Sequence, residues 1–133
     1  MNLDKLLKKI EINYNEAEKQ EKHALVIGGE SYEVLTMTRA EKSKFMYSYS
    51  MSTENKQKLG DMIEWARPFI YRSLQLAKLA ERAKTAGYIK KYYDVIDMLF
   101  EPSEIMEIIA FLIEINKIGA GSVEENVEYI KKQ

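Results

Sequence analysis

At 133 residues, with 46% hydrophobic and 31% charged side chains, the chain has the size and composition of one globular domain that can bury a core without staples. A formal net charge of −1 leaves no general basic excess for electrostatic capture of nucleic acid, although a local basic patch stays open. The chain has no cysteine and one histidine, His23, which excludes disulfides, thiolate metal sites, cysteine nucleophiles and multi-histidine metal sites within one chain.

Residues 1–22 form a polar leader. Leu3, Leu6, Leu7 and Ile10 recur at helical spacing with lysines and glutamates between them, which predicts a short amphipathic helix to about Ile12 and a loose polar segment from Asn13. Such a segment is either a partly ordered terminus or a docking arm for a partner. Lysines break its apolar run, so no signal peptide is expected. The longest apolar run, Ile108 to Ile113, is far too short to span a bilayer, and the expected location is a cytoplasm.

Residues 24–36 read as a β-hairpin: Ala24 to Ile27, a Gly28-Gly29 turn suited to positive φ, then a strand with Tyr32, Val34 and Thr36 on one face. A strand, not a helix, follows the two glycines, which argues against a phosphate-binding loop. An isolated two-stranded ribbon is marginal in water, so it must lie on helices or pair through an edge.

The body, residues 38–131, reads as five or six helices. Thr38-Arg39-Ala40-Glu41 is a capping box opening a helix with Phe45, Met46 and Tyr49 on one side, expected to end near Ser50 because Ser52-Thr53 offers a new cap. From Glu54 onward Leu59, Met62, Ile63, Ala66, Ile70, Leu74 and Ala77 mark one helical face. Trp65, Phe69, Leu76 and Leu79 form a second stripe beside it. Pro68 predicts a kink or a break, and Gly87 a left-handed stop. Tyr88 to Phe100 is the next expected helix; Ser103 is expected to cap another, Ile105 to Ile118, which is the most apolar of all and therefore buried. Gly119-Ala120-Gly121 and a second capping box, Ser122-Val123-Glu124-Glu125, introduce a last short helix with Val123, Val127 and Ile130 inward.

No catalytic constellation stands out. Asp94, Asp97, Glu101, Glu104 and Glu107 have the spacing of a wet, acidic helix face, and no Glu-x-x-His element accompanies them. His23 reads as an ordinary exposed histidine, and the methionines at 37, 46, 51, 62, 98 and 106 mostly as core. Lys90-Lys91 beside Tyr92-Tyr93 is the one compact basic–aromatic cluster. Thr38 to Gly60 also has the helix–break–helix order of a DNA-reading motif, but its second helix opens with only mildly basic residues, Glu54 to Lys58.

The order of parts carries one resemblance. A polar leader, a ribbon ending in Tyr32-Glu33-Val34-Leu35-Thr36-Met37-Thr38-Arg39-Ala40-Glu41, and a helical body of about 90 residues resemble the tail assembly chaperones of long-tailed bacteriophages and prophages of Gram-positive bacteria. The resemblance implies a non-enzymatic protein of the bacterial host cytoplasm, without cofactor or metal. It would coat the long helical tape measure protein, recruit tail tube subunits and self-associate, and its gene would often yield a longer frameshifted product. No motif defines the partner-binding residues of such proteins. On physical grounds the expected ones here are Trp65, Phe69, Leu76 and Leu79, since a coat for an apolar rod needs an apolar stripe. Self-association would use the ribbon edge or Leu3 to Ile10. The alternatives are a small helical nucleic-acid-binding regulator or a structural adaptor of the virion.

Overall fold

The computed structural model describes residues 1–17, 19–54 and 59–118. The described chain is mainly helical, with a two-stranded antiparallel hairpin near its N-terminus. In order come α1 (Leu3–Ala17), β1 (Lys22–Ile27), β2 (Glu30–Leu35), α2 (Arg39–Glu54), α3 (Leu59–Ser73), α4 (Ala77–Thr85), α5 (Asp94–Leu99) and α6 (Pro102–Ile115). The expected last helix, with Val123, Val127 and Ile130, lies outside the described residues, as do Asn55 to Lys58 of the weighed DNA-reading helix.

The hairpin runs in register from Lys22 opposite Leu35 to Ile27 opposite Glu30. Gly28 and Gly29 turn it with φ of 60° and 83°, a conformation that costs side-chain-bearing residues dearly. Its inner face carries Leu25, Ile27, Tyr32 and Val34, and it lies on α3 and α6. The ribbon thus gains the hydrophobic support that it lacks alone.

Beneath it α3 and α6 form the centre. Ala66, Phe69 and Ile70 of α3 meet Ile105, Ile108, Ile109 and Leu112 of α6 in one core, joined by Phe45 from α2 and by Val95 and Ile96 from α5. Four of the α6 side chains are at most 1% exposed, as its sequence demands. Asn116 closes this helix against the hairpin: its Oδ1 accepts the Met37 N–H at 2.8 Å and its Nδ2 donates to the Leu112 carbonyl at 2.8 Å. Asn116→Ala is expected to lower the unfolding free energy by about 1–3 kcal/mol in urea denaturation, because the buried Met37 N–H loses its partner.

Several boundaries differ from expectation. Helix α1 runs to Ala17 rather than Ile12. Helix α2 does not end at Ser50, because Ser52 and Thr53 turn their hydroxyls back onto the carbonyls of Ser48, Tyr49 and Ser50 instead of capping a new helix. Pro68 lies inside α3, and the break falls at Gln75, whose φ is 56°. Only Asp94–Leu99 of the expected Tyr88 to Phe100 helix is helical: the Asp94 carboxylate accepts the Lys91 N–H at 3.0 Å and starts the helix late. Helix α6 begins with Glu101 and Pro102 rather than a Ser103 cap, with the Glu101 N–H donating to Glu104 at 2.9 Å, and ends at Ile115.

Candidate partner-binding surface

Among the described residues, the one long apolar face without cover is on α1. Leu3, Leu6, Leu7, Ile10 and Tyr14 follow steps of three and four along this 15-residue helix and are between 41% and 68% exposed. From Leu3 to Glu16 every side chain is exposed except half-buried Asn13. Asn2 caps the start, its Oδ1 accepting the Lys5 N–H at 3.1 Å. The chain then passes through Gln20 and Glu21, which are fixed to the hairpin: Gln20 Nε2 donates to the Thr36 carbonyl at 2.9 Å, and the Glu21 N–H to Thr36 Oγ1 at 2.8 Å. The result is a charged helix with a greasy stripe, held beside a folded body by an anchored connection. A helix of this length is marginal alone in water, and each wet leucine or isoleucine forgoes about 1.5–3 kcal/mol of burial. A partner that covers the stripe supplies both terms at once.

The stripe expected at Trp65, Phe69, Leu76 and Leu79 does not form a common exposed surface. Phe69 and Leu76 are 7% and 4% exposed and belong to the core, Trp65 is half-buried, and Leu79 alone reaches solvent at 44%. The rings of Phe45, Trp65 and Phe69 meet edge to face, with Phe45 5.2 Å from each of the others. The Trp65 indole donates to Ser52 Oγ at 3.0 Å, and the Arg72 guanidinium sits 5.3 Å over Phe69. These residues therefore hold α2 onto α3. Arg72 also donates to Glu41 at 2.8 Å; the Thr38 hydroxyl accepts the Glu41 N–H at 3.3 Å, as the capping box requires, and itself donates to the Glu41 carboxylate at 3.0 Å. Burial raises the Glu41 carboxyl, but the hydrogen bonds from Arg72 and Thr38 and the Arg72 charge outweigh it and hold the group below the usual carboxylate range.

The remaining candidates have structural duties. Asp97 accepts from Arg67 at 3.2 Å, Asp94 starts α5, and Glu104 caps α6. His23 stands edge-on to Phe111 with its Nε2 3.5 Å from Glu21. Among the described residues no three His, Asp or Glu side chains are grouped to hold a metal ion, and no helix is long and apolar enough to cross a membrane. Comparison of the chain with protein-family models, characterised proteins and solved structures finds no match.

Proposed function

We propose that this protein is a non-enzymatic tail assembly chaperone, acting in the host cytoplasm, that lays the apolar face of α1 along helical segments of the tape measure protein while tail tube subunits are recruited. The observation that carries this reading is the uncovered stripe of Leu3, Leu6, Leu7, Ile10 and Tyr14. It is a helix-in-groove element in the reverse sense, an amphipathic helix offered to an apolar rod. The chain's layout supports the same reading: leader, hairpin, the Leu35-Thr36-Met37-Thr38 junction and helical body follow the order that resembles such chaperones.

The test is co-expression with a long, helix-rich tape measure protein of a long-tailed phage from a Gram-positive host. The expected result is a tape measure protein that stays in the soluble fraction and co-purifies with this chain. A tape measure protein equally insoluble with and without the chain overturns the proposal.

A further inference from the structure

Helix α1 has two unlike edges. Leu3, Leu7, Ile10 and Tyr14 recur in steps of four and three, the seven-residue repeat of a coiled-coil seam. On one side of that seam stand Leu6 and Asn13. Leu6 is the least exposed of the stripe at 41%, and Asn13 is half-buried. This edge faces the folded body, where Ile10, Asn13, Tyr14 and Arg39 line an open hollow of about 380 Å³. On the other side, facing away from the body, stand Asp4 and Glu11, one repeat apart and both exposed. At about 100° per residue they fall roughly 70–90° from the centre of the seam, whereas Lys5, Lys8 and Lys9 fall roughly 130–170° from it, on the back of the helix. An acidic residue suits the first turn of a helix, which accounts for Asp4, but Glu11 lies mid-helix without that duty. Neither carboxylate, nor Arg39, forms an ion pair among the described residues.

We propose that α1 selects its partner helix by charge as well as by apolar contact: the segment that it receives repeats every seven residues and carries lysine or arginine on the flank that meets Asp4 and Glu11, with none on the flank beside Arg39. This inference rests on the reading of α1 as the docking helix and adds what that helix recognises. In paired helices the positions beside the seam set partner choice and direction, because opposite charges attract there and like charges exclude. A second copy of α1 does not fit this description, since Asp4, Leu6, Glu11 and Asn13 beside its own seam include no cation. A lipid surface fits no better. Lys5, Lys8 and Lys9 are cancelled by Asp4, Glu11 and Glu16, which leaves no net charge to draw the helix to anionic headgroups.

The probes are two synthetic four-heptad peptides with leucine at both seam positions, one with lysine and one with glutamate at every position beside the seam; like charges keep each from pairing with itself. Binding to the full-length protein is read by fluorescence anisotropy at about 50 mM and about 500 mM salt, between which the screening length falls severalfold. The wild type is expected to bind the lysine peptide about tenfold more tightly than the glutamate peptide at low salt, and the preference to shrink at high salt, as exposed ion pairs require. Asp4→Lys/Glu11→Lys is expected to reverse the preference, and Arg39→Glu to tighten the lysine peptide severalfold. Leu7→Gln/Ile10→Gln is expected to lose both peptides. Thermal unfolding checks that each variant folds. Equal binding of the two peptides, abolished by Leu7→Gln/Ile10→Gln, would keep α1 as the docking helix and overturn the charge selection. A lysine-peptide preference that persists in Asp4→Lys/Glu11→Lys would also overturn it, by placing the contact on carboxylates elsewhere. A wild type that binds neither peptide overturns the proposal, while the co-expression result stands separately for the reading beneath it. Self-association or sedimentation with anionic vesicles, lost in Leu7→Gln/Ile10→Gln, would then assign the stripe to a second copy or to a membrane.

Discussion

Phe45→Ala is expected to lower the unfolding free energy by about 3–5 kcal/mol, a large share of the roughly 5–15 kcal/mol that holds a domain together. Phe45 is fully buried, and its ring is the shared neighbour of Trp65 and Phe69. Removing it opens a cavity between α2 and α3 that the edge-to-face rings cannot fill without leaving their contacts. Trp65 is the only tryptophan, so its fluorescence during denaturant unfolding reports on this site directly. A loss below about 0.5 kcal/mol, the range of ordinary surface changes, would mean that α2 is not docked on α3 as described.

The second large effect falls on binding and leaves stability alone. Leu7→Gln/Ile10→Gln is expected to weaken capture of the tape measure protein by at least about a hundredfold, since two anchors worth about 1.5–3 kcal/mol each are lost. Both residues are about two-thirds exposed, and glutamine is a good helix former without charge. The melting transition of the free protein should therefore barely move, because exposed substitutions usually stay within about 0.5 kcal/mol. Unchanged co-purification by this variant would remove α1 from the account. An altered melting transition would show that the stripe packs on its own body.

The helical body was legible because apolar periodicity reports burial. The spacing of Ile105, Ile108, Ile109 and Leu112 is the face that α6 buries, and Gly28-Gly29 between two alternating runs is the hairpin turn that the structure shows. The breaks were harder to read, because they answer to burial beyond the local pattern. Leu74 and Leu76 are both buried, yet in a continuous helix they would point about 200° apart. The left-handed turn at Gln75 lets both reach the core, while Pro68 is tolerated within α3. The hydroxyls of Ser52 and Thr53 could cap a helix or bond backward, and only the packing of Trp65 on Ser52 decides between these.

The candidate site was half legible for a related reason. The amphipathic pattern of Leu3 to Ile10 is plain in the sequence, but it reads the same whether the face meets its own body or a partner. Trp65, Phe69 and Leu76 illustrate the opposite outcome: a second apolar stripe beside the first was needed at home, because α3 lies at the centre and is covered on more than one side. Periodicity says that a face is apolar; burial within the folded chain says which face is left over.

Hydrogen–deuterium exchange across residues 3–17, in the free protein and in its complex with the tape measure protein, tests the central claim most directly. A short solvated helix opens readily, so its amides should exchange fast in the free chain and slow by at least about tenfold once the stripe is covered. Protection that appears elsewhere while α1 exchanges at the same rate in both states would contradict the account.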